Sequence, residues 1–346
     1  SGTMLGAPAD VVIADATVKG ISGFDTSAAF EALWVPATAE DLEPKLRGAR
    51  HPADDYIELG FVTADSGRSV STTMEFAIDD DALAAMADSL GDPARAQQLR
   101  ERSRGYRQLY DPTSGFFWPK SRDGQLVGEV DAEKFADGFA EANALQTLWG
   151  PIHDLGGLVA LIGDREQTIA RLHELFEAAE TDLIANPIDV IQSNFGPRTY
   201  YWHGNEPDIH AAYFFGQLGR DDLTQRWLGW ITRELYSDQP DGLPGNDDGG
   251  TMGAWYVWSG LGLYPVAGTP RYFVGAPLFP RIRVRMADGH QLVIEAPGLD
   301  TEERGIAGVL ADDSPLETAT LVHDQLAATS VLFFEAAAEP TAWSAP

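Results

Sequence analysis

Residues 252–285 read MGAWYVWSGLGLYPVAGTPRYFVGAPLFPRIRVR, and the hydrophobic period changes within them. Before Pro265, residues 252–263 carry a dense apolar run that predicts a helix. After it, RYFVG and RIRVRM are short β-branched or aromatic runs between turn residues, which predicts strands and hairpins. RIRVRM alternates arginine with aliphatics, the pattern of an antiparallel sheet with one wet face. HQLVIEAPG, TATLVHDQ and SVLFFEA continue in the same way. The expected organisation is therefore a helical region over residues 1–265 followed by a β-rich segment over residues 266–346.

Upstream, helical spacing dominates. From Ser71, STTMEFAIDDDALAAMADSLGD places Met74, Ile78, Leu83, Met86 and Leu90 on one face of an amphipathic helix ending near Gly91. Pro93 opens the next, with Leu99, Tyr106 and Leu109 on its apolar side and basic residues toward its C-terminal end, where the helix dipole favours them. Further helices are predicted over 135–149, 155–161, 165–183, 209–218 and 221–236. Short links between consecutive helices imply antiparallel hairpins.

The chain has 346 residues with 53 acidic against 24 basic side chains, a formal charge of −29. Such a surface repels phosphate backbones and anionic headgroups, which argues against nucleic-acid binding and a polybasic membrane anchor. With 44% hydrophobic residues the chain can bury a large core, so it is not an acidic disordered tail. There is no cysteine, hence no disulfide, thiolate metal site or thiol nucleophile. No run approaches the roughly 18 apolar residues of a membrane helix, so no membrane insertion is expected. The opening SGTMLGAPAD lacks the basic and apolar regions of a signal peptide, and reads as processed, engineered or cut from something longer.

Three clusters concentrate acids, amides and aromatics at predicted helix ends or loops, where a rigid scaffold presents functional groups. In FAEANALQTLWGPIHD, Glu141 lies beside Phe139, Leu145 and Trp149, and burial among them would let it keep its proton and act as a general acid. The plain alternative is a surface glutamate. In YYWHGNEPDIH, aromatics including Trp202 precede His203 and a turn whose Asn205, Glu206 and Asp208 offer hard oxygen ligands or sugar-gripping groups. An elaborate helix cap would also use them. In LPGNDDGG, glycines flank Asn246, Asp247 and Asp248 just before a helix. One cap needs one side chain, so a second adjacent carboxylate suggests a further job, such as holding a metal or a water. The chain has no GxSxG elbow, Walker loop, HExxH helix or GxGxxG turn. Carboxylates on separate loops, with aromatics and no nucleophile, point to acid/base hydrolysis of a glycoside.

HGNEPD (203–208), LPGNDDGGTMGAWYVWSGLGLYPV (243–266) and GAPLFPRIRV (275–284) closely resemble the family 92 glycoside hydrolases, calcium-dependent exo-α-mannosidases. VVIADATVKGISGFD (11–25), YIELGFV (56–62), VSTTMEFAIDDDALAAMADSLG (70–91) and GFFWPKSRDG (115–124) follow that family in order and spacing. The resemblance implies an inverting mechanism with two carboxyl groups roughly 6.5–9.5 Å apart. Its acid corresponds to Glu141 and its base to Asp248, with Asp247 or Asn246 assisting. It places calcium near Asn205 to Asp208, with Glu206, Asp208 and Gln146 as candidate ligands, and implies sugar contacts from Trp202, His203, Asn205, Glu206 and Asn246. It also implies a secreted, cell-surface or periplasmic enzyme acting on a glycan and releasing a terminal α-linked mannose or related sugar.

Two departures stand out. Ala142, Leu145 and Thr147 replace the family's glycine and aromatics around the acid, and Pro151-Ile152-His153-Asp154 carries an inserted residue. They motivate a second expectation, a catalytically inactive carbohydrate-binding or scaffold subunit of the same fold. Family members are also about twice as long, with an N-terminal β-sandwich on a six-hairpin α/α barrel. The barrel is thus expected to be incomplete here, its first hairpins and sandwich supplied by a missing segment or companion chain.

Overall fold

Local capping sets the first helices. Pro8 lies in the first turn of α1 (Pro8–Val18), and at α2 (Thr26–Thr38) the Asp25 carboxylate accepts the Ala28 N–H. The computed structural model describes residues 5–40, 42–43, 46, 48, 50–185, 198–286, 289–299 and 305–346, so the first four residues of the opening segment lie outside them. The chain divides into two compact units, one of Ser1–Thr168, Thr199–Tyr201 and Ala267–Pro270, the other of Ile169–Arg198, Trp202–Val266 and Arg271–Pro346.

The first unit continues with α3 (Asp54–Leu59), α4 (Ser69–Ser89) and α5 (Pro93–Ser103), a two-stranded hairpin of β1 (Tyr110–Asp111) and β2 (Phe116–Phe117), then α6 (Ala144–Thr147) and α7 (Leu155–Ile162). Helix α4 matches the helix predicted from Ser71, but it is buried on nearly every side rather than amphipathic. Leu83, Met86 and Ala87 pack with Phe30, Ala96 and Leu99. Its polar positions are buried too. Asp80 accepts hydrogen bonds from Arg50 (2.7 Å), Arg102 (2.7 and 2.8 Å) and Tyr56 (3.0 Å), and Arg50 also reaches Asp10 at 2.8 Å. Burial alone would raise Asp80, but Arg102 and Arg50 outweigh it and hold the carboxyl below the usual range.

The second unit contains most of α8 (Arg165–Ala185), with α9 (Phe214–Gln217), α10 (Asp221–Glu234) and α11 (Thr251–Gly260). Phe176 of α8 stacks on Trp227 of α10 at 5.1 Å, and Trp227 Nε1 donates to His173 Nδ1. There follow β3 (Leu263–Pro265), β4 (Arg271–Val274), β5 (Arg281–Arg285), β6 (Gln291–Glu295), β7 (Gly305–Ala311), β8 (Ser314–Pro315), β9 (Thr320–Val322), α12 (His323–Ala328) and β10 (Val331–Ala337). They form a sheet ordered β3-β4-β9 and another ordered β5-β6-β10-β7-β8. In β5 the arginines are exposed while Ile282 and Val284 pack on the core, as the alternation predicts.

Several elements differ from expectation. The helix predicted over 135–149 shrinks to Ala144–Thr147, because residues before it pack as a loop rather than winding. Residues 209–218 form one short 3-10 turn, Ala211–Tyr213, and α9 instead of one helix. Helix α11 stops at Gly260, and Leu263 already belongs to a strand. The larger sheet is antiparallel except at β6–β10, which run parallel. No described helix is long and apolar enough to cross a membrane.

Candidate active site

In the first unit the loop leading to Glu141 is braced on the start of α4. Arg68 N–H donates to Asp137 O (2.5 Å), Val70 N–H to Gly138 O (3.0 Å), and Ala140 N–H to Ser71 Oγ (2.9 Å). The opening N–H groups of a helix have no partner within it, so they are available to hold a loop. A β-carbon on Gly138 would lie 2.2 Å from Pro119 Cγ, so this approach requires glycine.

Glu141 follows with φ of +52° and is exposed. Of the two readings of this residue, the surface glutamate is the one found: Phe139, Leu145 and Trp149 turn inward or are half-buried while the left-handed residue leaves the core. Beyond it, Asn143 and Gln146 form a capping box for α6. Asn143 Nδ2 donates to Thr199 O and Gln146 Nε2 to Tyr200 O, both at 2.7 Å. Gln146 is thus a buried anchor for the start of the YYWHGNEPD segment, its Oε1 accepting the Asn143 N–H at 3.3 Å.

In the second unit two loops meet. A β-carbon on Gly245, which has φ of +72°, would lie 2.3 Å from Gly204 O, so the HGNEPD and LPGNDD loops touch backbone to backbone. Trp255 Nε1 donates to Ile209 O (3.0 Å), fixing α11 to the first loop. Asn205 and Glu206 are half-buried, whereas Trp202, His203 and Asp208 are buried. Burial drives the Asp208 carboxyl well above the usual carboxylate range, opposed by backbone N–H groups including that of Trp202. Burial also pulls His203 down to about 3, so its ring is neutral at physiological pH.

Asn246, Asp247 and Asp248 are exposed, and the structure separates the two acids. Asp247 Oδ1 accepts the Gly253 N–H at 2.9 Å, and its carbonyl accepts from Gly250 and Met252. It anchors the start of α11. Asp248 has φ of +46°, and among the described residues its carboxylate accepts no hydrogen bond. Glu141 and Asp248 are therefore two of the four described non-glycine residues in left-handed backbone, the others being Arg68 and Asp312. Such conformations cost of order 1–3 kcal/mol each and concentrate at functional sites. Sequence reasoning missed Tyr236, whose ring stacks on Trp255 at 5.9 Å and whose phenol is pushed up by burial, with the Asp247 charge adding to it. Its place just before the LPGNDD loop was the available signal.

Each unit thus presents an exposed carboxylate on a braced loop, a group able to exchange protons with a substrate. Residues 1–338 match the Glycosyl hydrolase family 92 catalytic domain, and the chain belongs to that family. It is similar to a family 92 inverting mannosidase of Bacteroides thetaiotaomicron VPI-5482, with a TM-score of 0.86 and 30% identity, over 99% of this chain and 47% of that one. A family 92 α-mannosidase of Bacteroides thetaiotaomicron in complex with mannoimidazole gives 0.86 and 28%, over 98% and 44%. A protein of Arthroderma benhamiae described as an uncharacterized secreted glycosidase is 27% identical over 317 residues, 82% of this chain and 38% of its own length. The chain thus spans less than half the length of these relatives. Its fold is mainly helical with a strand-rich C-terminal segment, consistent with an α/α-barrel catalytic domain.

Proposed function

We propose that the chain is the catalytic helical part of an inverting, exo-acting glycoside hydrolase that releases terminal α-linked mannose, or a related sugar, from glycans. The observation that carries this reading is the left-handed backbone at both Glu141 and Asp248, on loops and exposed. Glu141 protonates the leaving oxygen, and Asp248 takes a proton from the attacking water. Asp247, held by Gly253 N–H, orients the loop under Asp248. Asn205, Glu206 and Asn246 hold sugar hydroxyls, while Trp202 and His203 back the loop that presents them. The division at 265/266 into a barrel region and a β-rich segment belongs to the same proposal. So does a position outside the cytoplasm, supported by the relative described as secreted.

A calcium ion fits the donor chemistry in part. Asp208 is a buried carboxylate with no basic group among the causes of its shift, and a divalent cation would offset its desolvation. No group of three or more His, Asp or Glu among the described residues forms a ready cage, so amide, backbone, water or sugar oxygens would complete the shell. Glu206 and Asp208 are the proposed carboxylate ligands, with the side-chain carbonyl oxygen of Gln146 as a further proposed ligand. When bound, the ion would hold hydroxyls of the terminal sugar and favour its distortion. Removing calcium from the full-length protein with EDTA is expected to abolish turnover and readdition to restore it; full activity after exhaustive chelation would remove calcium from the proposal.

The missing partner is an N-terminal segment or companion chain, supported by the coverage of the relatives and by exposed apolar side chains such as Val12 on α1 and Val35 on α2. The test of function is an α-mannoside panel given to the full-length protein, with the released anomer followed by NMR. Inversion is expected. Retention would eliminate the two-carboxylate assignment, and mannose binding without hydrolysis would favour the non-catalytic scaffold.

A further inference from the structure

The two loops of the second unit are joined by a link that neither sugar contact nor capping explains. His203 is fully buried, with Nε2 at 2.8 Å from the Tyr236 hydroxyl. That hydroxyl donates its single proton to Met252 O at 3.1 Å. With the phenol proton on Met252 O, the imidazole is the donor in the first contact, which corresponds to the Nε2–H tautomer of His203. Met252 in turn donates its N–H to Asp247 O at 3.3 Å, one residue before Asp248. Around this chain the His203 ring packs edge-on against Trp255 at 4.1 Å, and Trp255 stacks parallel to Tyr236. An isolated aromatic plug would not need its polar atoms aligned in one direction, from His203 through Tyr236 to the backbone of the LPGNDD loop.

We propose that Tyr236 is a positioning residue for the reaction. Its hydroxyl accepts a hydrogen bond from His203 Nε2–H and donates one to Met252 O, holding the loop of Asp248 in register with the loop of Asn205 and Glu206. This rests on Asp248 being the base. It also changes the role of His203 from a sugar contact to the buried anchor of the loop that makes those contacts.

The test is Tyr236→Phe in the full-length protein, which keeps the stacked ring and removes only the hydroxyl. Outer partners that orient metal ligands typically carry 10- to 100-fold of activity; by the same reasoning for an oriented catalytic loop, kcat is expected to fall about tenfold or more, with KM changing less. Hydrogen exchange is expected to quicken in peptides spanning 203–206 and 247–253. In the wild-type protein, ¹H–¹⁵N correlation spectra are expected to show the Nε2–H tautomer at His203. A lowered thermal midpoint with unchanged kcat and unchanged exchange in both loops would reduce Tyr236 to a packing residue and overturn the proposal, as would an Nδ1–H tautomer. If the wild-type protein hydrolyses no glycoside while the tautomer and exchange follow expectation, the functional reading fails and the link between the loops stands.

Discussion

Glu141→Gln and Asp248→Asn are each expected to lower kcat of the full-length protein by roughly 10²- to 10⁴-fold, the usual contribution of a positioned acid or base. Neither should unfold it, because both side chains are exposed and neither fills the core. The two losses should differ in kind. Without a proton donor, substrates whose leaving group is already a weak base suffer least, so Glu141→Gln should recover on activated aryl glycosides while Asp248→Asn should not. The backbone adds a second signature. A left-handed conformation costs an L-residue roughly 1–2 kcal/mol, so Glu141→Gly should be inactive yet as stable as the wild type or more so. Such a trade of stability for activity is what strain held at a working site produces. Thermal melts with kcat on natural and activated substrates check both points; wild-type turnover by Glu141→Gln on a natural glycan would remove it as the acid.

Gly245→Ala should be strongly destabilising. The added carbon would lie 2.3 Å from Gly204 O, a backbone atom that cannot swing aside, and the residue would sit at φ of +72°. Left-handed strain together with overpacking predicts a loss of roughly 2–4 kcal/mol, with activity falling as the loops separate. Gly249 provides the control. It has φ of +71° but nothing within 4 Å of the added carbon, so Gly249→Ala should show the backbone cost alone. Urea unfolding of the pair decides it, and equal losses would mean that the contact between the loops contributes nothing.

What the sequence made legible follows from how local each cause is. Helix α10 and the strands of RIRVR and QLVIE are set by neighbouring residues, and they appear where the period places them. The loop of 135–143 is set by distant groups, Pro119 against Gly138 and Ser71 against Ala140, so an apolar run there looked like a helix. Nothing local to α4 marks Asp80 as buried, because the groups that draw it inside, Arg50 and Arg102, lie on other stretches of the chain. The parallel pairing of β6 with β10 spans intervening strands and leaves no local trace. Motif spacing located the loops of Glu141, Asn205 and Asp248. It could not separate Asp247 from Asp248, since only the hydrogen bond to Gly253 shows which acid caps.

The buried charges of the first unit carry a consequence for descent. Asp10, Arg50, Asp80 and Arg102 stand on four different stretches of chain yet share their protons and lone pairs. Removing one member strands the others at a cost of about 3–5 kcal/mol, while replacing the whole set with well-packed apolar side chains can be neutral. A lineage can therefore drift freely around these positions but cannot leave them one step at a time, so the four should pass between descendants as a single inherited character.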